Sequence, residues 1–298
     1  MADAPPLIFD HALLDRRRRR ALRHPVDGAD FLLRRVVDDM LERLAAVKRS
    51  FTVAADIATP TPLLAATLAT SADVARIVRV DRIAGTSSEV IADPEALPFA
   101  PASLDLAVSA LALHWVNDLP GVLRQIRDAL KPDGLMLAAF LGGDTLTELR
   151  QSLTIAESEL TGGASPRVAP FVELRAAGAL LQRAGFALPV IDVERHVVRY
   201  DDAFALMRDL RAMGATNVLA ERSRKPLPRA VLMRAAAIYA ERFADLDGRV
   251  RATFDVISLS GWAPAANQQK PLRPGAATVR LADVLGVREQ SAGDKTGR

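Results

Sequence analysis

Three features of this 298-residue chain predict an α/β fold, a mostly parallel sheet with helices on both faces. Short apolar, β-branched runs alternate with helix-prone segments, successive runs end on an aspartate, and half of all residues are hydrophobic, enough to bury a full core. Phe51 to Ile57 (FTVAADI) reads as the first strand; it ends at a threonine-proline turn before the helix-prone LLAATLA. Ala75 to Val80 is the second strand, ending on Asp81, and Glu89 to Ala92 the third, ending on Asp93. Leu104 to Ser109 is the fourth. A helix over Leu119 to Leu130 is stopped by Pro132 and Gly134, and Leu135 to Leu141 returns as the fifth strand. Beyond Gln151, LRAAGALLQRAGF and DDAFALMRDLRAMGATNVLAERS read as helices around an alternating strand segment, PVIDVERHVVRYD. A further helix spans Pro228 to Phe243, and TFDVISLSGWAP is the last strand, rejoining the sheet.

In such sheets a ligand binds beyond the carboxyl ends of the strands, which here carry Asp56, Asp81, Asp93 and Ser109. Acids at three successive tips suit a nucleoside bearing an amino acid. A carboxylate after the second strand accepts from both ribose hydroxyls, and one after the third accepts from an adenine amino group. Any one of these acids is as readily a turn or helix cap.

Around these positions the chain carries Asp93-x-Glu95-x-Leu97-Pro98-Phe99, Leu104-Asp105-Leu106 and Leu130-Lys131-Pro132-x-Gly134. It also carries Leu113-His114-Trp115-Val116-Asn117-Asp118-Leu119-Pro120 and Gly142-Gly143-Asp144-Thr145-Leu146-x-Glu148-Leu149-Arg150. From about Phe9-Asp10 to Trp262 it thereby resembles the class I S-adenosylmethionine-dependent methyltransferases. The nearest branch holds the malonyl-carrier-protein methyltransferase of biotin synthesis and the mitochondrial complex I assembly factor with a methyltransferase fold. The resemblance implies a Rossmann-like, seven-stranded, mostly parallel sheet with a helical insertion and S-adenosylmethionine as cofactor. The implied cofactor-binding residues are Asp56, Ile57, Ala58, Asp81, Arg82, Asp93, Pro94, Glu95 and Ser109.

One departure stands out. The family's first motif follows its aspartate with a Gly-x-Gly-x-Gly loop, and Ala58, Pro60 and Pro62 occupy those glycine positions here. A positive φ at Ala58 would strain it by roughly 1 kcal/mol. Pro60 and Pro62 each fix φ and remove a backbone donor, although Pro62 suits a first helical position behind Thr61 as cap. Weak or lost cofactor binding is therefore one expectation.

Composition narrows the function classes. No apolar run approaches the roughly 20 residues of a membrane span, and the acidic start MADAPPLIFDHALLD lacks the character of a secretory or mitochondrial leader. Zero cysteines exclude disulfides, thiolate metal sites and a cysteine nucleophile. The expectation is a cytoplasmic bacterial protein, or one held peripherally at the inner membrane through a partner. The net charge of +3 gives no case for nucleic acid. Past Ala263, six basic residues against three acids give a surplus equal to that charge, on a Pro- and Gly-rich tail expected to be largely disordered. Arg16 to Arg20 is expected on a helix with salt-linked solvent faces, in a segment that resembles the family's cover over the cofactor pocket.

The four histidines are scattered, so no metal site is expected. Catalytic candidates are His114 as proton acceptor after the fourth strand, Trp115 beside it, and Asp144 as anchor for a cationic group such as a guanidinium. The plainer readings are that His114 and Trp115 pack a loop over the cofactor, and that Asp144 or Thr145 caps the following helix with Glu148 completing a capping box. Four regions are expected: a helical lid over 1–50, a cofactor-binding core over 51–150, a helical insertion with the closing strands over 151–262, and the tail over 263–298. The function reads as a methyltransferase, or a protein-arginine hydroxylase acting on a NADH dehydrogenase (complex I) subunit, as the resemblance implies for the assembly-factor branch. The alternative is a non-catalytic assembly chaperone that has lost S-adenosylmethionine through the altered loop.

Overall fold

The computed structural model describes residues 7–70, 73–84, 90–268, 283–284 and 286–287. Residues 1–264 form one compact unit and residues 265–298 a second, whose described part opens with a turn in which Gln268 bonds back to Ala265. The expected disorder of the tail, and most of its proline-rich segment, lie outside the described residues.

Two helices, α1 (His11–Arg23) and α2 (Phe31–Ala46), precede β1 (Phe51–Ile57), α3 (Leu63–Ala69), β2 (Val74–Asp81) and β3 (Val90–Ile91). Then follow β4 (Leu104–Ala110), a 3-10 turn (Leu113–Trp115), α4 (Leu119–Ala129), β5 (Leu130–Gly142), α5 (Thr147–Thr161) and α6 (Leu174–Ala184). The last elements are β6 (Ala187–Tyr200), α7 (Ala203–Ala212), α8 (Arg229–Phe243) and β7 (Val250–Trp262). The strands form a seven-stranded sheet in the order β3-β2-β1-β4-β5-β7-β6. Pairing is parallel from β3 through β5, and β7 runs antiparallel between β5 and β6. The expected α/β sheet is therefore present, with its last strand inserted one place in from an edge, between β5 and β6.

Alternation along the strands builds two cores. Leu106, Val108, Leu135 and Leu137 face one side and pack with α2, α3, α5, α7 and α8. Ala107, Met136, Ala138 and Phe140 face the other, against α4 and α6. Each large apolar side chain fully buried this way contributes about 1.5–3 kcal/mol. The motif residues Asp105 and Lys131 join the sheet to the β5 entry: Asp105 accepts from the Val53 amide at 2.9 Å and from Lys131 Nζ at 2.9 and 3.0 Å.

Several boundaries differ from expectation. β5 starts at Leu130, paired with Leu104, and the Lys131–Gly134 segment is absorbed as a register shift before Leu106 pairs with Leu135. The helix expected through Ser223 ends at Ala212, because Gly214 takes a φ of +75° against the backbone of α1. The third strand is described only over Val90–Ile91, with Glu89 outside the described residues.

Candidate functional site

The carboxyl ends of β1, β2 and β4 converge on the turn after Ile57. Ala58 takes a φ of 60°, the left-handed conformation expected of the glycine it replaces. Its amide donates to Val80 O at 2.8 Å. Next to it, Thr59 Oγ1 accepts from the Ala110 amide at 3.1 Å and Thr59 O from Arg79 Nη2 at 2.5 Å. These bonds hold a conformation that costs an alanine about 1–2 kcal/mol. Pro62 occupies the cap position rather than the first helical one, with a φ of -67°, and Thr61 Oγ1 accepts only a long 3.3 Å bond from the Leu63 amide.

The three strand-end acids sit in different environments. Asp56 is fully buried, 3.5 Å from Arg79 Nε, and burial pushes its carboxyl up to about 6 against the opposing pull of the Thr59 hydroxyl and Arg79. Asp81 is also fully buried and bonded to Arg18 and Arg79. Asp93 faces outward; its Oδ1 accepts from the Glu95 amide at 2.9 Å and its Oδ2 from Arg82 Nη1 at 3.0 Å. Ser109 is buried, donating to Ile57 O at 2.7 Å.

In front of these strand ends lies a cavity of about 410 Å³, within the range of small-molecule sites. Of the expected cofactor residues, Ala58, Arg82, Asp93, Pro94 and Glu95 line it, whereas Asp56, Ile57, Asp81 and Ser109 lie behind that surface. α1, α2 and the segment between them form the opposite wall. His114 and Trp115 line it as well, their rings 4.7 Å apart, with Phe171 6.1 Å from His114. Burial holds the His114 imidazole down to about 3, so it is neutral at pH 7. Its Nδ1 is buried without a hydrogen bond among the described residues. A neutral ring with a bare nitrogen keeps acceptor capacity there, although that nitrogen is shielded from the cavity's solvent.

Asn117 staples the amino-terminal segment over this cavity. Its Oδ1 accepts from the Ile8 and Phe9 amides, both at 2.8 Å, and its Nδ2 donates to Phe9 O at 3.3 Å. Asp10 adds an ion pair with Arg222 at 3.0 Å, and its other oxygen caps α1 at the Leu13 amide. Asn117→Ala is expected to cost about 1–3 kcal/mol, chiefly by stranding the partly buried Phe9 amide, and to speed proteolytic cleavage before α1, as limited digestion would show.

Asp144 stands apart from the cavity. It binds a guanidinium, but one from its own chain: Arg195 Nη2 is 2.7 Å from Asp144 Oδ2 and also pairs with Asp255. The capping expectation fails here. The cap position of α5 is Leu146, at a φ of 55°, with no side-chain bond; Thr145 Oγ1 instead donates to Gly142 O, and Glu148 is buried against Thr253. The glycine pair is structural, since a Cβ at Gly142 would overlap Ile257 and Gly143 takes a φ of +47° beside Asp255.

Sequence reading missed Arg18, Arg79 and His11. The Arg16–Arg20 run does lie on a helix, but Arg18 turns inward one turn after Leu14 rather than facing solvent, and Arg17 bonds Asn217 O. Arg79 was signalled by spacing alone, two residues before Asp81 and so on the same strand face. His11 bridges Arg82 and the Trp115 carbonyl, with Nδ1 2.7 Å from Arg82 Nη1 and Nε2 3.0 Å from the oxygen.

Residues 44–138 match the family described as a methyltransferase domain. The chain is 37% identical to the arginine-hydroxylase NDUFAF5 of Danio rerio, covering 93% of this chain and 89% of that protein. It is 38% identical to the human protein of that name, over 93% and 83% of the two chains. A malonyl-[acyl-carrier protein] O-methyltransferase from Laribacter hongkongensis is 42% identical over 62% of this chain and 60% of its own length. Among solved structures, YcgJ of Bacillus subtilis shares the fold at a TM-score of 0.51 and 15% identity, covering 76% of this chain and 98% of that one. The zebrafish and human relatives are named as mitochondrial, which overturns the expectation of a cytoplasmic bacterial protein. No helix among the described residues is long and apolar enough to cross a membrane.

Proposed function

This chain belongs to the NDUFAF5 arginine-hydroxylase family, within the class I S-adenosylmethionine-dependent methyltransferase superfamily, and on that premise we propose that it is an S-adenosylmethionine-using enzyme that modifies an arginine of a NADH dehydrogenase subunit during complex I assembly. The observation that carries the reading is the cavity at the strand ends, bounded by the left-handed Ala58 turn, the Asp93-Pro94-Glu95 segment and the His114-Trp115 wall.

The residues fit the cofactor in most respects. Ala58 adopts the backbone form the glycine loop would supply, Asp93 would hold the adenine with a half-exposed carboxylate that also pairs with Arg82, and the apolar Leu111 and Ala112 border the cavity. Asp81 fits only after a rearrangement, because its oxygens are engaged by arginines. When bound, S-adenosylmethionine supplies an electrophilic methyl group. Around it the chain's own residues exclude water with the two amino-terminal helices and offer the neutral His114 ring to orient an acceptor N–H without repelling a cationic guanidinium. Alignment of this kind carries much of the rate in such sites.

The non-catalytic alternative is less favoured, since Ala58 takes the left-handed φ that the glycine would supply. Calorimetric titration with S-adenosylhomocysteine is expected to give micromolar binding to the natural chain, with a Pro60→Gly, Pro62→Gly variant binding no more than about tenfold tighter, roughly 1.4 kcal/mol. Binding by that variant alone would transfer support to the chaperone reading. Recovery of a NADH dehydrogenase subunit on the immobilised chain would support the assembly role.

A further inference from the structure

Asp81 ends β2, the position from which an acid accepts from a nucleoside's ribose, yet its acceptor capacity is already used. Oδ1 accepts from Arg18 Nη1 at 3.0 Å and from the Ile83 amide at 3.3 Å. Oδ2 accepts from Arg18 Nη2 at 2.8 Å and from Arg79 Nη2 at 3.0 Å. A carboxylate has about four lone-pair sites, so both ribose hydroxyls have nowhere to bond while Arg18 stays.

The four bonds divide by origin. Arg79 and Ile83 belong to β2 and the turn after it, so they travel with Asp81. Arg18 alone comes from α1, a separate element in the wall of the cavity. Its departure frees one site on each oxygen, the pattern a vicinal diol requires. Arg79 remains to balance the buried charge.

Arg18 is also incompletely held. Its Nε is buried with no hydrogen bond among the described residues, and its further contact, to Pro60 O, is long at 3.3 Å. Behind it, Gly214 lets α7's end approach so closely that an added Cβ would lie 3.2 Å from Arg18 Cα. The backbone of α1 at Arg18 is therefore packed directly on Gly214, which lines the same cavity, so any displacement of α1 there is felt at that wall.

We propose that Arg18 is a resident guanidinium occupant of the ribose site, alternating with the cofactor at Asp81, so that cofactor loading withdraws Arg18 and repositions α1. The inference rests on the cofactor reading above and adds to it a gate made by the chain itself. Coupling is reciprocal: whatever draws α1 outward, including a protein substrate docked on it, raises cofactor affinity by the same factor.

The test titrates S-adenosylhomocysteine into the full-length natural chain and Arg18→Ala, each with and without millimolar guanidinium chloride. Arg18→Ala is expected to bind about 5- to 150-fold tighter, and added guanidinium, entering the vacated place, is expected to weaken that variant's binding while leaving the natural chain unaffected. A folded variant that binds no tighter than the natural chain would overturn the gate and leave the cofactor reading intact. Absence of binding in both would remove the cofactor reading and the gate with it. Should the variant fail to fold, side-chain NMR of the natural chain decides: the Arg18 guanidinium signals are expected to shift on addition of S-adenosylhomocysteine, and unchanged signals would refute withdrawal.

Discussion

Asp81→Ala is expected to destabilise the fold by about 3–5 kcal/mol, the cost of removing one partner from a buried ionic cluster. Arg18 and Arg79 both bond to Asp81 in a site closed to solvent. Without that carboxylate, Arg18 keeps among the described residues its long bond to Pro60 O, while Arg79 retains partners that include Thr59 O and Asp56 at 3.5 Å. Two buried cations have then lost the carboxylate they shared. The same physics makes the losses non-additive. Arg18→Met combined with Asp81→Leu should cost clearly less than the two single losses summed, since apolar residues of similar volume satisfy the space without stranding a charge. Denaturant midpoints for the single and double variants measure this directly, and additive losses would show the cluster to be energetically unconnected.

Acidification is the second sensitive axis, because two buried groups respond to it in opposite directions. Burial holds His114 down to about 3 from 6.5. The stability it contributes is complete above pH 6.5 and drains as the pH falls toward 3. Burial pushes Asp56 up to about 6 from 3.8. Its contribution is complete below pH 3.8 and is lost as the pH rises through 6. Each slope approaches about 1.4 kcal/mol per pH unit, so between pH 4 and 6 they largely offset. Removing either group should expose the other. His114→Phe, set beside Trp115 and Phe171, is expected to gain about 2–3 kcal/mol relative to the natural chain on going from pH 6.5 to 4.5, whereas Asp56→Asn is expected to lose stability more steeply than the natural chain over pH 6 to 4. Parallel pH profiles for all three proteins would contradict both assignments.

The strands were legible because their determinants are local: FTVAADI, ARIVRV and the run ending at Leu141 carry their apolar pattern within a few residues. The acids at their tips were legible for the same reason. What those acids touch was not. Five consecutive arginines have no internal contrast, and only the packing of α1 distinguishes Arg18, buried on Asp81, from its neighbours. The Asp144 turn misled for a related reason. Its sequence suits a capping box, but Gly142 is held by Ile257 and Val172, and Glu148 is drawn to Thr253, all contacts made with distant elements. Ala58 is the converse case: the strain at that position was foreseeable from the motif, whereas the bonds that stabilise it come from β2 and β4.

The insertion of β7 between β5 and β6 also orders events during synthesis. β1 to β5, the two amino-terminal helices and the expected cofactor residues emerge from the ribosome first, but β5 and β6 stay unjoined in the sheet until Val250–Trp262 has been made. Phe254, which lines the cavity, and Asp255, which anchors the turn at Gly143 and Asp144, arrive on that same strand. A nascent chain interrupted before it therefore holds most of the chemistry of the site without the strand that joins β5 to β6 or a finished pocket, and a ligand that needs the whole cavity is expected to bind only once β7 is in place.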